Sequence, residues 1–223
     1  MITVHHLENS RSQRTLWMLE ALGVEYDIKR YSRDPATSLA PPELKAVHPL
    51  GKSPVITDGD ITVAESGAIV EYLMEHYSGG KLQPADTPEA RRDYTYWLHY
   101  AEGTMMPLLI IALLLRRVDE AKVPFFVKPI ARGITGKLRE AYLDRNLAAN
   151  MKFMESTLAD RPWFTGDHLT AADIHMSFIL EGLNVSTDLE SDFPNMAACL
   201  KRCHDDENYQ HAIERGGPFH LGG

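Results

Sequence analysis

The chain changes its pattern about one third of the way along, and this change limits the folds that it can adopt. Residues 1–78 alternate short strand-like and helix-like segments, whereas residues 88–223 show almost only helical patterns. The first part follows the order β-α-β-(α)-β-β-α. A parallel strand pair joined by a helix, followed by an antiparallel hairpin, forms a small mixed sheet with helices on its faces. This order predicts an α/β domain at the N-terminus.

The individual segments of this first part are short and well marked. Strand-like segments span residues 2–5, 25–31, 54–57 and 61–63. Helix-like segments span residues 15–22 and 69–77. Residues 35–50 are rich in proline, and we predict one short helix within an otherwise irregular stretch there. This is the element order of a thioredoxin-like domain.

The second part reads as an all-α domain. Thr87 can cap a helix whose first residue is Pro88, and long helices are predicted over residues 94–115, with a bend at Pro107, and over residues 138–158. Thr170 and Asp173 have the spacing of a capping box, in which two side chains satisfy the free N–H groups at a helix start. Glycine and proline residues interrupt both patterns between these parts. We therefore predict domains over residues 1–78 and 88–223, joined by a linker over residues 79–87.

Charge and composition narrow the class of protein. The formal net charge is −8, and the longest basic runs are pairs such as Arg91-Arg92, so a nucleic-acid-binding role is not expected. The longest apolar run, residues 105–115, is too short for a bilayer span of about 20 residues. The N-terminal residues lack a signal-peptide pattern. We expect a protein of the cytoplasm that does not bind membranes.

The sequence offers little for metal chemistry. Cys199 and Cys203 are four residues apart, which is helical spacing, and a disulfide framework or zinc site needs more cysteines in other places. His5 and His6 are neighbours on a predicted strand and therefore point to opposite faces. We predict no metal site and a reduced environment for the thiols.

Glu65 and Ser66 stand where the predicted hairpin ends and a helix begins. The free N–H groups of a helix N-terminus attract a carboxylate, and Glu65 can pair with a neighbouring ammonium group. Together they can hold both charged ends of an amino-acid zwitterion, as in a small peptide. The alternative is that Ser66 is only an N-cap and Glu65 a solvated loop acid.

Three segments, taken in order and at their spacings, resemble the cytosolic glutathione transferases, in particular a bacterial and fungal branch. They are residues 9–14 (NSRSQR), residues 48–56 (HPLGKSPVI) and residues 65–69 (ESGAI). Residues 169–174 resemble the capping box of the buried sixth helix of this family. The resemblance covers nearly the whole chain. It implies the thioredoxin-like and all-α domains described above, and a homodimer.

The resemblance also implies how glutathione is held. Pro54 is expected to follow a cis peptide bond and to aim the backbone of Ser53 at the cysteinyl part of glutathione. Glu65 and Ser66 are expected to hold the γ-glutamyl end. Lys52 is expected to reach toward the glycine carboxylate, although an ordinary surface lysine is an equal alternative. Glutathione would be a co-substrate, and no further cofactor is expected.

A transferase of this kind must supply a thiolate, and a free thiol with a pKa near 8.5 is only slightly ionised at neutral pH. No tyrosine lies between Val4 and Met18, so a hydroxyl or amide in residues 9–14 must donate a hydrogen bond to the thiolate. We predict Ser10, because serine-using members of the family place the active hydroxyl four residues before a helical arginine. Ser12 and Asn9 are the alternatives. Either serine can instead be a helix N-cap, and for Ser12 the N-cap is the favoured interpretation. The absence of cysteine here disfavours mixed-disulfide chemistry.

The second substrate is expected to be a small hydrophobic electrophile. Met105, Met106 and Leu109 are predicted to line its pocket between the domains, although a methionine and leucine stripe at helical spacing is also typical of a core. Glu102 is a further candidate for reaching across a dimer interface. Two alternatives stay open beside conjugation. The same thiolate can reduce organic hydroperoxides, and a catalytically silent module can bind glutathione without chemistry.

Overall fold

The computed structural model of the protein describes residues 1–221. Four short strands lie in the first part: β1 (Ile2–Leu7), β2 (Tyr26–Tyr31), β3 (Val55–Asp58) and β4 (Ile61–Ala64). The helices between and after them are α1 (Ser12–Leu22) and α2 (Ser66–Tyr77), with a 3₁₀ turn at Pro42–Ala46. The predicted element order is therefore confirmed, and the predicted irregular stretch contains its one short helix.

The sheet has the order β2-β1-β3-β4. The central strand β1 runs parallel to β2 and antiparallel to β3, and β3 and β4 form the predicted hairpin. Ile2, Val4 and Ile56 are almost fully buried because both α1 and α2 lie against this sheet. Helix α1 ends at Gly23, whose left-handed φ of 73° suits a residue without a side chain.

The helical part begins at α3 (Pro88–Tyr100), whose N-cap Thr87 accepts a hydrogen bond from the Ala90 N–H as predicted. Further helices are α4 (Met106–Glu120), α5 (Lys128–Leu138), α6 (Asp144–Thr157), α7 (Ala171–Asn184), α8 (Leu189–Asp192), α9 (Pro194–Asp205) and α10 (Glu207–Gly216). Helix α7 lies between the two parts and contacts α1, α2 and α3. It is therefore almost entirely buried.

Two helices differ from the sequence prediction. The bend expected at Pro107 is a π-helical turn, Ala101–Met105, which joins α3 to α4 immediately before the proline. Proline lacks an N–H and disturbs the preceding turn, which explains the irregularity there. The helix predicted over 138–158 begins earlier, as α5, and passes through a second π turn, Arg139–Leu143, into α6.

The helix from Pro88 to Glu120 is longer than the apolar run suggested. Its 33 residues are long and apolar enough to cross a membrane by length and composition, which corrects the expectation based on residues 105–115. Core helices of globular proteins pass the same test. Leu108 and Leu115 on this helix are buried against the rest of the protein.

The predicted capping box of α7 is confirmed and lies in the core. The Asp173 carboxylate accepts hydrogen bonds from the Thr170 N–H at 3.0 Å and from the Thr170 hydroxyl at 2.8 Å. It also accepts from the hydroxyl and N–H of Thr165, which fixes the preceding loop to the helix. Burial raises the pKa of Asp173, and these donors oppose that rise.

Replacing Asp173 by alanine leaves several buried donors without a partner. We expect the D173A variant to lose about 3 kcal/mol of unfolding free energy, because each buried donor left unpaired is costly. Thr87→Ala removes a cap of the same kind at an exposed helix start and should cost only about 1 kcal/mol. Urea unfolding of both variants tests this difference. Equal losses would show that burial adds nothing to the capping box.

Candidate active site

The loop between β1 and α1 carries the predicted thiolate donor. Ser10 lies in this loop and is only 6% exposed. Its hydroxyl oxygen is 2.7 Å from the Ser12 hydroxyl and accepts a hydrogen bond from the Ser12 N–H at 3.3 Å. Ser10 thus accepts from a free N–H group at the start of α1. Its hydroxyl also lies beside the turn that precedes β3.

Ser12 and Asn9 occupy different positions from Ser10. Arg11 holds the N-cap position of α1, so Ser12 is the first helical residue and not the N-cap. Ser12 has no exposed surface, and its hydroxyl lies 2.8 Å from Nδ1 of His6. Asn9 adopts a left-handed φ of 48°, and its side-chain oxygen accepts a hydrogen bond from the His220 N–H. Of the three candidates, Ser10 is the one whose hydroxyl lies beside Ser53, the residue of the cis turn predicted to meet the cysteinyl part of glutathione.

The Ser53–Pro54 peptide bond is cis, as the family resemblance implied. The Ser53 hydroxyl donates to the carbonyl oxygen of His5 at 3.0 Å, which ties this turn to β1. The hydroxyl oxygen of Ser53 is also 3.5 Å from that of Ser10. The turn before β3 and the loop after β1 therefore meet at the two serine side chains.

Glu65 and Ser66 lie at the start of α2, across from this turn. Glu65 has a φ of 77°, a left-handed conformation that is rare and costly for a residue with a side chain and that is concentrated at functional sites. Ser66 is buried, yet its hydroxyl has no hydrogen-bond partner within residues 1–221. A buried hydroxyl at a helix N-terminus without a protein partner can receive a ligand carboxylate.

These segments line a groove that opens to solvent. Its walls include Ser53, Pro54, Glu65 and Ser66, with Arg11, His48 and Lys52 as basic groups. Within the described chain, neither Lys52 nor Glu65 forms an ion pair with another residue. The groove therefore brings together all the residues predicted to bind glutathione. It offers charges of both signs to a zwitterionic ligand.

A cluster of charged residues lies beneath this groove, between the two parts of the chain. The Glu102 carboxylate accepts from Arg11 at 2.7 Å and from Arg14 at 2.7 Å. Arg14 is buried and also donates to the carbonyl oxygen of His175. Glu102 thus binds α1 of its own chain with both oxygens. This arrangement differs from the one expected, in which Glu102 reaches across a dimer interface to a partner chain.

Burial and charge act against each other in this cluster. Burial opposes ionisation of Glu102, but Arg14 and Arg11 outweigh it and lower the pKa of the carboxyl. Burial lowers the pKa of Arg14 to about 10, so this guanidinium stays charged at neutral pH. His175 is buried beside it, and burial followed by the charge of Arg14 keeps its pKa well below the usual value.

A second, smaller cavity lies beside the groove and this cluster. Its lining includes Arg11, Arg14 and Ser66, together with the His175 ring, whose two nitrogens have no hydrogen-bond partner within the described chain. Ser66 and Arg11 line both cavities. The charged cluster therefore reaches the floor of the groove.

The residues predicted to line an electrophile pocket lie elsewhere. Met105 has no exposed surface and Met106 is 8% exposed, and both belong to the core. Leu109 is half-buried and packs on Gly182, where an added Cβ would lie 3.0 Å from its Cδ1. None of the three lines either of these two cavities. Their pocket role stays a prediction, and the burial of the methionines favours the core alternative.

Sequence reasoning did not assign Arg11, Arg14, His6 or His175 to the site. Arg11 and Arg14 are three residues apart and share a helix face, at the start of a helix that is otherwise apolar. Two cations at that spacing beside a candidate serine are the signal that could have identified Arg11 and Arg14. His6 was considered only with His5 as a metal site, and His175 gave no comparable signal, because a lone histidine in an apolar segment is common in cores.

Comparison with known proteins fits this geometry. A family model described as "Glutathione S-transferase, N-terminal domain" matches residues 1–75, and one described as "Glutathione S-transferase, C-terminal domain" matches residues 126–213. Glutathione S-transferase 1 of Saccharomyces cerevisiae is 33% identical, over 96% of this chain and 95% of the yeast protein. The chain belongs to the glutathione S-transferase family.

Other members of the glutathione S-transferase family are similar over much of the chain. Glutathione S-transferase 3 of Schizosaccharomyces pombe is 37% identical over 80% of this chain and 72% of its own length. A crystal structure of a glutathione S-transferase from Actinobacillus pleuropneumoniae has a TM-score of 0.76 and 33% identity, covering 99% of this chain and 94% of that one. These similarities confirm the predicted thioredoxin-like and all-α fold.

The Glu102 cluster makes a prediction about stability. Glu102→Gln leaves the buried Arg14 cation without its counter-charge, and we expect a loss of about 3 kcal/mol at neutral pH. The pKa of Glu102 is lowered in the folded protein, so its stabilising contribution is present above its ordinary value of 4.5 and is lost as the pH falls through the lowered pKa. The difference between the E102Q variant and the parent should therefore shrink in acid.

Urea unfolding at several pH values measures this effect. Glu120→Gln is a matched control, because Glu120 forms an exposed ion pair with Arg116 on α4 and such pairs contribute little. A similar loss in both variants, or a difference that does not change with pH, would contradict the assigned role of Glu102.

Proposed function

We propose that the protein binds glutathione in the groove between Ser53 and Ser66 and activates the glutathione thiol as a thiolate. The glutathionyl group is then transferred to a small hydrophobic electrophile. The observation that carries this proposal is the buried Ser66 hydroxyl, which has no partner within residues 1–221 and lies at the N-terminus of α2. A ligand carboxylate supplies the missing acceptor. Family membership supports glutathione as the ligand that contains this carboxylate.

The groove suits each part of glutathione in turn. Ser66 and the N–H groups of α2 receive the γ-glutamyl carboxylate, and the Glu65 carboxylate receives the ammonium group. The backbone of Ser53, beside the cis peptide bond, pairs with the cysteinyl residue as an added antiparallel strand. Lys52 and Arg11 provide positive charge for the glycine carboxylate. This binding mode leaves the thiol near Ser10.

Ser10 is the proposed donor to the thiolate. Its oxygen lies 3.5 Å from that of Ser53, so a cysteinyl group paired with Ser53 brings its sulfur to the Ser10 hydroxyl. A hydrogen bond to the charged form favours the thiolate and lowers its pKa. The reaction then needs no cofactor besides glutathione as co-substrate. The proton that leaves the thiol goes to solvent, and the thiolate forms a C–S bond with an electrophilic carbon. The electron pair of the bond that breaks departs with a leaving group or, when the carbon belongs to a double bond, takes up a proton from solvent.

The proposal extends to assembly and location. Residues 1–78 form the glutathione-binding domain, 79–87 the linker and 88–223 the domain that contributes the electrophile site. We propose a homodimer in the cytoplasm, as the family resemblance implies. Apolar side chains exposed on α4 and α5 support a second copy of the chain as their partner; they are Ile110, Leu113, Leu114, Val118, Ile130 and Ile134.

The thiol pKa of bound glutathione tests the proposed role of Ser10. We expect a pKa well below the free value in the parent protein and a rise of about 1–2 units in Ser10→Ala, because a hydrogen bond to a charged group is lost. Thiolate absorbance measured against pH gives both values. A bound thiol with an unshifted pKa in the parent protein would favour a binding module without catalysis. An unchanged pKa in the S10A variant would remove Ser10 from the mechanism.

Ser66 makes a separate prediction about binding. We expect the S66A variant to bind glutathione about ten-fold or more weakly in calorimetric titration, because the carboxylate loses a donor. Its unfolding free energy should stay near that of the parent protein, since the hydroxyl has no protein partner in the described chain. Ser78→Ala, at the other end of α2, is the matched control and should bind normally. Full affinity in the S66A variant would place the carboxylate elsewhere.

A further inference from the structure

A chain of three side chains runs from the groove into the core. The hydroxyl oxygens of Ser10 and Ser12 are 2.7 Å apart, and the Ser12 hydroxyl is 2.8 Å from Nδ1 of His6. Ser12 has no exposed surface and His6 is 4% exposed, so water does not compete with these bonds. Ser10 is the outer end of this chain, because its hydroxyl oxygen lies 3.5 Å from that of Ser53, which lines the groove.

Each hydroxyl has one proton to donate, and the neighbours limit where it can go. The Ser53 proton is used by the carbonyl oxygen of His5. The Ser12 N–H donates to the Ser10 oxygen, and the Ser12 hydroxyl has the carbonyl oxygen of Leu7 as a further acceptor at 3.4 Å. The Ser10 proton can therefore go to Ser12, to the oxygen of Ser53 or to a ligand, but it serves only one of them.

His6 determines the direction of the chain. Burial, followed by the nearby Arg30, lowers the pKa of His6 to about 4, so the ring is neutral at neutral pH and carries a single N–H. With the proton on Nε2, Nδ1 accepts from Ser12, and the Ser12 oxygen competes with a ligand for the Ser10 proton. With the proton on Nδ1, His6 donates to Ser12, Ser12 donates to Ser10, and the Ser10 proton is free for the groove.

We propose that His6 and Ser12 are positioning residues that direct the Ser10 hydroxyl at the glutathione thiolate, with the His6 proton on Nδ1 in that complex. The inference rests on the proposed function, because it takes Ser10 as the thiolate donor. It goes further in assigning two residues that do not touch the ligand. It also assigns the tautomer of one of them.

The free protein favours the opposite direction. The backbone of Gly216 lies beside Nε2 of His6 and favours a proton there. A thiolate at Ser10 reverses this preference, because a hydrogen bond to a charged acceptor is about twice as strong as a neutral one. The reversal leaves the ring neutral: the thiol proton passes to Ser10, the Ser10 proton to Ser12 and the Ser12 proton to Nδ1, while Nε2 releases one proton to solvent.

Nitrogen-15 NMR of the His6 ring tests the tautomer directly in the parent protein. We expect Nε2 to carry the proton in the free protein and Nδ1 to carry it when glutathione is bound as thiolate. The S10A variant with bound glutathione should keep the proton on Nε2, since no serine proton is drawn toward the sulfur. A proton that stays on Nε2 alone in the parent complex would overturn the proposal.

The thiol pKa of bound glutathione supplies a second readout through variants. Ser12→Ala and His6→Leu should each lower the thiolate fraction at neutral pH by about five-fold, because Ser10 loses the partner that orients it. His6→Asn should restore part of the effect, since its amide can donate at the position of Nδ1. Matched controls are Ser177→Ala, a buried serine on α7, and His5→Leu, the strand neighbour whose ring faces Tyr31.

The outcomes separate this inference from the proposed function. If the S10A variant raises the thiol pKa while the S12A and H6L variants do not, Ser10 keeps its role and the positioning chain is wrong. If the S10A variant leaves the thiol pKa unchanged, the role of Ser10 itself fails. The positioning chain is supported if the thiol pKa rises in the S10A, S12A and H6L variants, recovers in part in the H6N variant and does not rise in the two control variants.

Discussion

The Glu102 carboxylate holds the Ser10 loop and the helical domain in one arrangement. It accepts from Arg11 at the start of α1 and from Arg14 one turn later, and Arg14 continues to the backbone of α7. The cluster fixes the first turn of α1 against the π turn before α4 and against α7. Without that contact, the position of Ser10 relative to α2 would depend on the sheet alone.

The groove above this cluster is assembled from three separate segments of the N-terminal domain. The loop after β1 contributes Ser10, the cis turn before β3 contributes Ser53, and the start of α2 contributes Ser66. Each segment adopts a backbone conformation that ordinary strands and helices avoid, such as the left-handed φ of Glu65. Such conformations persist only when the surrounding structure imposes them. The sheet and the buried α7 are the rigid parts that do so.

Features set by neighbours in sequence could be predicted, and features set by distant contacts could not. The order of elements in residues 1–78, the Thr87 cap and the capping box at Thr170 follow from local patterns, and the structure contains all three. The pairing of Arg14 with Glu102 joins residues 88 positions apart, and no local pattern marks it. The π turns before Pro107 and after α5 escaped prediction because they keep the helical spacing almost intact.

The three candidates for the thiolate donor show the same difference between local and distant contacts. The family resemblance placed Ser10, Ser12 and Asn9 within a few residues, but only the fold separates them: Ser12 is enclosed, Asn9 is bound to His220, and Ser10 meets Ser53. For Met105 and Met106, the distant contacts contradict what the residue types suggest. Their chemistry suits a permissive pocket, but the packing of α7 against the π turn buries them.

A crystal structure of the protein with bound glutathione tests the central claim most directly. The account predicts the γ-glutamyl carboxylate within hydrogen-bonding distance of the Ser66 hydroxyl and the α2 N-terminus. It predicts the cysteinyl backbone paired with Ser53 and the sulfur within hydrogen-bonding distance of the Ser10 hydroxyl. Glutathione bound outside this groove, or in it with its sulfur directed away from Ser10, would contradict the account.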